Sequence, residues 1–249
     1  MSFDTETGVL FTTGVAALAF AAAFLWGARI HPLRALITDR RSIISFSAGM
    51  SAAYVFVHLM PELHGARRAF AESVTVSLPY EGVAIYFLAL IGFLSFYGLY
   101  HLRSRLRSAA ESEKERLGFR LHIGGFAAYV SLMAYLLMHN LEQTQVAIGL
   151  YAVAIFFHFL TVDHTLREEH GALYERIGRF VLAGAALLGW GAGLLFSLPH
   201  HVLALLVAFI SGSIIMNSVI MELPSEKDGR FLPFVSGGIL YGLILVPLG

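Results

Sequence analysis

Residues 43–61 read IISFSAGMSAAYVFVHLMP. The stretch is 19 residues long and contains no Lys, Arg, Asp or Glu. About 20 apolar residues in a helix cross the hydrocarbon layer of a bilayer. Unpaired backbone groups in lipid cost several kcal/mol each, so a segment of this kind must be helical. It is not uniformly apolar, however. Ser47, Ser51, Tyr54, His58 and Glu62 recur at intervals of three or four and form one polar stripe. An ionisable group inside a span costs about 2.5–3.5 kcal/mol on insertion scales, so the stripe needs a reason. His58 and Glu62 lie four apart and share a face, as metal ligands or as a hydrogen-bonded pair at the membrane surface.

Seven further apolar stretches accompany it, at 8–28, 83–101, 122–141, 145–163, 180–197, 201–222 and 231–247. The expectation is an all-α polytopic membrane protein with eight transmembrane helices in a single membrane domain, 1–249. Composition agrees. Of the 249 residues, 57% are hydrophobic and 14% charged, against roughly 25% charged in soluble domains. Net charge is zero, which argues against nucleic acid as a partner. Apart from Arg67 and Arg68, every Lys and Arg falls in an odd-numbered loop. Basic residues mark the cytoplasmic side, so both termini are expected to be non-cytoplasmic (N-out/C-out) and residues 102–120 to be a charged cytoplasmic loop. Asp4 and Glu6, with no basic residue, precede the first stretch, so no cleaved signal is expected. The expected setting is the plasma (inner) membrane, multi-pass, with the lipid bilayer as partner.

The seventh stretch echoes the second. Gly49 is followed by Pro61 twelve residues later, and Gly212 by Pro224 at the same interval. Glu62 follows the first Pro and Glu222 precedes the second, and both spans are read as ending at the Pro. The two spans run in opposite directions, so the echo suggests an inverted repeat of helices 1–3 and 6–8. Such repeats place a transporter's site at their interface. The alternative is a chance interval between two residue types common in membrane helices. On the sixth span Ala185, Gly189 and Gly193 form a small-residue face, suited to packing within the chain or to a homodimer.

Other polar residues sit within spans. The fourth carries His139, Asn140, Glu142 and Gln143, the fifth His158, Asp163 and His164, and the seventh Ser213, Asn217 and Glu222. With no cysteine in the chain, a metal must use imidazole, carboxylate, amide or thioether ligands. His101 and His122 read as ordinary interface residues. His31, His64, His170, His200 and His201 lie near loops and receive no role.

These residues resemble the motifs of the ZIP zinc and iron transporters. His58-Leu-Met-Pro61-Glu62 is similar to the His-x-x-Pro-acidic sequence of that family's second helix. His139-Asn140-x-x-Gln143 is similar to the His-Asn-x-x-acidic motif of the fourth, and His158 through Asp163 to the His-Glu-x-x-His-Glu motif of the fifth. The chain departs from the family at Glu142, Gln143, Phe159 and Val162, where the family has Pro, a carboxylate, Glu and His. The resemblance implies a divergent transporter of a divalent metal ion, zinc or iron. Its path would run past His58, Glu62, His139, Asn140, Glu142 and Gln143, then His158, Asp163 and Glu222. His139 and His158 are expected near opposite ends of their helices, roughly 20 Å apart in depth, too far to share one ion. Two other readings remain open. One is an intramembrane zinc hydrolase of the ceramidase and adiponectin-receptor type using Ser51, His58, His158, Asp163 and His164. The other is a metal-binding membrane protein without transport.

Overall fold

The computed structural model describes residues 2–28, 40–73, 81–107, 112–139, 145–218 and 229–246. Among these it is all-helical, with no strand. The helices are α1 (Ser2–Trp26), α2 (Arg40–Ala53), α3 (Met60–Ser73), α4 (Glu81–Arg107), α5 (Ser112–Leu136), α6 (Gln145–Leu173), α7 (Arg179–Leu195), α8 (His200–Met216) and α9 (Phe231–Leu245). Four helical runs are long and apolar enough to cross a membrane: Thr7–Trp26, Val83–Leu106, Glu113–Leu136 and Tyr151–Leu195. The last joins the fifth and sixth expected spans, and α8 and α9 are shorter apolar helices. Phe11, Leu188, Phe231 and Leu232 are 74, 73, 77 and 77% exposed. An outer surface of that kind suits hydrocarbon better than water.

Pro61 does not end its helix, contrary to the sequence reading. A π-helical turn over Tyr54–Leu59 connects α2 to α3, and the Met60 N–H donates to the Val55 carbonyl. Proline has no N–H and clashes with the carbonyl four residues earlier. Widening the preceding turn absorbs both problems, and the helix continues to Ser73. Asn217 and Ser218 at the end of α8 also adopt the π conformation. These two π turns each begin seven residues before a Pro in the sequence, at Tyr54 and at Asn217, whereas a third, Tyr174–Gly178, joins α6 to α7 with no Pro at that interval. The charged segment 102–120 is largely helical: α4 runs to Arg107 and α5 starts at Ser112.

The chain turns at Gly171, whose φ of 51° lies in the left-handed region. Contacts then fix the helix directions. Phe20 and Phe24 pack on Phe159 at 5.1 Å and Gly27 sits beside Asp163, so α1 and α6 are parallel. Gly178 meets Ile123, Gly189 meets Ser131 and Gly193 meets Met138, so α5 and α7 are parallel as well. The small-residue face of the sixth expected span is therefore covered by α5 inside the chain. Tyr129 reaches His158 and Tyr151 reaches Met133, which makes α5 and α6 antiparallel.

The helices fall into two packed groups. In the first, α1 packs on α6 and α7, and α7 on α5; in the second, α2 packs on α9, and α8 on α4 and α3. Between the groups α4 packs on α5, and thinner contacts join α2 to α6 and α5 to α8.

The second group repeats one contact. A Cβ on Gly49 would overlap the Phe234 carbonyl and press on the Gly238 amide, while a Cβ on Gly237 would overlap the Phe46 carbonyl. A Cβ on Gly212 would overlap the Ala89 carbonyl and press on the Phe93 amide, while a Cβ on Gly92 would overlap the Phe209 carbonyl. Phe46 and Gly49 are three apart, as are Phe209 and Gly212; so are Phe234 and Gly237, and Ala89 and Gly92. The α2–α9 and α4–α8 crossings therefore share one register, built on backbone-to-backbone contact that only glycine permits.

Candidate functional site

Two small cavities, apolar for the most part but each with several polar side chains, lie where the helix groups meet, and Tyr54 of the π turn lines both. The first is bounded by Tyr54, Glu62, Val207, Ile210 and Ser211 from one group and by Leu136, His139 and Tyr151 from the other. The second is bounded by Ser47, Ser51, Tyr54 and Tyr241 from one group and by Ala154, His158 and Thr161 from the other. Widening at the π turn sets the Tyr54 side chain at their common boundary. The expected separation of His139 from His158 thus takes the form of two cavities rather than one.

His58 lines neither cavity; its Nε2 lies 3.9 Å from Glu62 Oε2 of the first, and its ring packs against Tyr54 at 5.3 Å. His139 Nε2 donates to the carbonyls of Gly193 at 3.0 Å and Phe196 at 3.2 Å. Carbonyls only accept, so the proton is on Nε2 and a neutral ring keeps its lone pair on Nδ1. Orienting a histidine through its second nitrogen is the usual support for a metal-ligating imidazole. Tyr135 braces the same corner, donating to the Phe196 carbonyl at 3.1 Å and accepting the Leu198 N–H at 3.2 Å. Among the described residues, Tyr54 Oη and Ser211 Oγ are buried without a hydrogen-bond partner. Two such atoms on one cavity wall are hydrogen-bonding capacity that a water or an ion could satisfy.

In the second cavity Tyr129 Oη lies 2.8 Å from His158 Nε2. Ser51 Oγ and Ser218 Oγ are 2.9 Å apart, bridging α2 and the end of α8.

Asp163 is 2% exposed and lines neither cavity. Both of its oxygens accept from Arg167 at 3.0 Å, and Oδ1 accepts from Tyr174 Oη at 2.7 Å. Gly27 leaves room for it: a Cβ there would lie 2.5 Å from Asp163 Oδ2. Arg167 and Arg179 also pair with Glu175. A carboxylate already neutralised in this way staples α6 to the π turn Tyr174–Gly178 that leads into α7. Tyr174→Phe is expected to lower thermal stability in detergent by about 2 kcal/mol, the worth of a hydrogen bond to a charged group. If the chain carries a metal ion, uptake per folded molecule should not change in this variant; a selective loss of uptake would assign Asp163 to the path that the motif resemblance implies.

The hydrolase residues do not gather. Ser51 and His158 share a cavity, whereas Asp163 pairs with Arg167 and His164 with Glu168. Asn140, Glu142, Gln143 and Glu222 lie outside the described residues.

A third place was not anticipated. His122, Glu169 and His170 bring one ligand atom each within 4.8 Å of one another and could hold a metal ion. His122 and His170 are 48 positions apart on different helices, so no local motif announces them. Comparison with protein-family models, curated proteins and solved structures finds no match to this chain.

Proposed function

We propose that this chain is an eight-span membrane protein that carries a divalent transition metal ion, zinc first, across the bilayer. The observation that carries the reading is the pair of cavities at the boundary of two helix groups, each with imidazole on its wall and Tyr54 between them. Glu62 and His139 Nδ1 receive the ion in the first cavity, with His58 beside Glu62. His158, Ser51 and Thr161 receive it in the second. Passage requires the groups to shift so that one cavity opens as the other closes, and Tyr54 is the barrier crossed. The groups meet chiefly where α4 packs on α5, with thinner contacts of α2 on α6 and α5 on α8, and the motion would turn about that contact.

The matched crossings of α2 on α9 and α4 on α8, with π turns at equivalent positions, support an inverted repeat of helices 1–3 and 6–8. With the basic residues counted by loop, they support termini on the non-cytoplasmic side of a plasma (inner) membrane. The resemblance of its motifs to those of ZIP transporters supports this reading, and the chain is proposed as a divergent member. The test is zinc accumulation by liposomes carrying the purified protein, read with an internal fluorescent indicator. The expected result is accumulation above protein-free liposomes. Tight zinc binding with no accumulation would replace this reading by metal binding without transport.

A further inference from the structure

His122 stands on α5, nearly three turns from its start at Ser112, and Glu169 and His170 stand near the end of α6. His122 Nδ1 lies 2.9 Å from His170 Nε2 and 3.8 Å from Glu169 Oε2. Ligand atoms about 2.0–2.1 Å from a tetrahedral zinc are about 3.3 Å apart, so the two measured separations bracket what an ion needs. Arg103 of α4 pairs with Glu169 Oε1. That contact turns Oε2 towards the histidines, as outer-shell partners orient ligating carboxylates. A cavity opens beside the group, lined by Arg103, Glu115, Phe119, Glu169 and His170. His122 itself is 1% exposed. None of these residues lines either cavity assigned to the ion path.

We propose that His122 Nδ1, His170 Nε2 and Glu169 Oε2 form a second, resident metal site for a borderline divalent transition ion, zinc first. Two imidazoles and one carboxylate suit zinc and its neighbours rather than calcium or magnesium, which prefer all-oxygen sites. In the empty site one imidazole donates its proton to the other across the 2.9 Å contact. An ion needs both lone pairs, so the donor's proton moves to that ring's other nitrogen and no net proton is released. The bound ion clamps the start of α5 to the end of α6, the helices that lead to His139 and carry His158. It also draws charge from Glu169, which loosens the Arg103 pair linking the two helix groups. The site is therefore placed to report ion level on the basic end of the bundle.

The experiment is a cobalt titration of purified full-length protein in detergent, following the visible absorption of tetrahedral cobalt. It reads binding rather than flux, so its outcome is independent of whether the chain transports. Wild type is expected to develop the band. His122→Ala and His170→Ala should lose it and bind one ion fewer, whereas Gly184→Ala, where an added Cβ meets nothing within 4 Å, should keep it. Glu169→Gln keeps the side chain's shape should an alanine variant fail to fold, and it is expected to weaken cobalt at least tenfold. An unchanged band and stoichiometry in the histidine variants, or unchanged affinity in Glu169→Gln, would overturn the site.

Discussion

Gly212→Ala is expected to cost the fold about 3 kcal/mol, at the upper end of what overpacking costs. The added Cβ meets the Ala89 carbonyl oxygen and the Phe93 amide. These are backbone atoms of a neighbouring helix, so no rotamer change relieves the clash and α8 must move away from α4. Gly49→Ala is expected to cost a similar amount, because the Phe234 carbonyl and Gly238 amide meet its Cβ in the same way. Matched losses at two glycines so far apart in sequence are what a structural repeat requires. Gly184→Ala is the control. Nothing lies within 4 Å of a Cβ there, and alanine favours a helix over glycine by up to about 1 kcal/mol. Unfolding in a denaturing detergent, followed by helical circular dichroism, gives the order of stability. A Gly212→Ala protein as stable as Gly184→Ala would refute the close crossing of α4 and α8.

Loss of either cavity's ligands is expected to reduce zinc uptake at least tenfold while the protein remains folded. Glu62→Gln keeps shape and removes the charge that attracts the cation. His139→Ala removes the imidazole held towards Gly193 and Phe196. His158→Ala removes the one that contacts Tyr129 in the other cavity. Even altering outer-shell support of a metal site costs about 10–100-fold, so removing a direct ligand should cost no less. On the proposed path the two cavities act in series, so a block at either would stop the flux. Uptake at wild-type level in both His139→Ala and His158→Ala would discard this path.

The helical character of the chain was readable because hydropathy over about twenty residues is a strong signal. The echo at Gly49 and Gly212 was readable for a different reason. Backbone-to-backbone contact tolerates no side chain, so the requirement leaves a glycine in the sequence at each crossing. Pro61 was misread, because the sequence shows the missing N–H but not the π turn that absorbs it. The orientation of His139 was hidden too, since its partners are main-chain carbonyls that carry no sequence signal. His122 and His170 were passed over as interface and loop residues. Their meeting depends on how α5 lies against α6, a long-range fact that no local spacing encodes. Asp163 drew attention as a buried acid, yet its partners Arg167 and Tyr174 lie four and eleven residues downstream. The first of these was a readable i,i+4 pair.

The chain has no cysteine, so a single introduced thiol reports one place without background. Ser211→Cys puts it in the cavity with Glu62 and His139, and Ser47→Cys in the cavity with His158. Labelling with a membrane-impermeant thiol reagent, in right-side-out and inside-out vesicles, tests whether the cavities open to opposite faces. The account predicts that Ser211→Cys reacts from the outer face and Ser47→Cys from the cytoplasmic face, with zinc shifting the two reactivities in opposite directions. Reaction of both from one face, or of neither from any face with or without zinc, would contradict it.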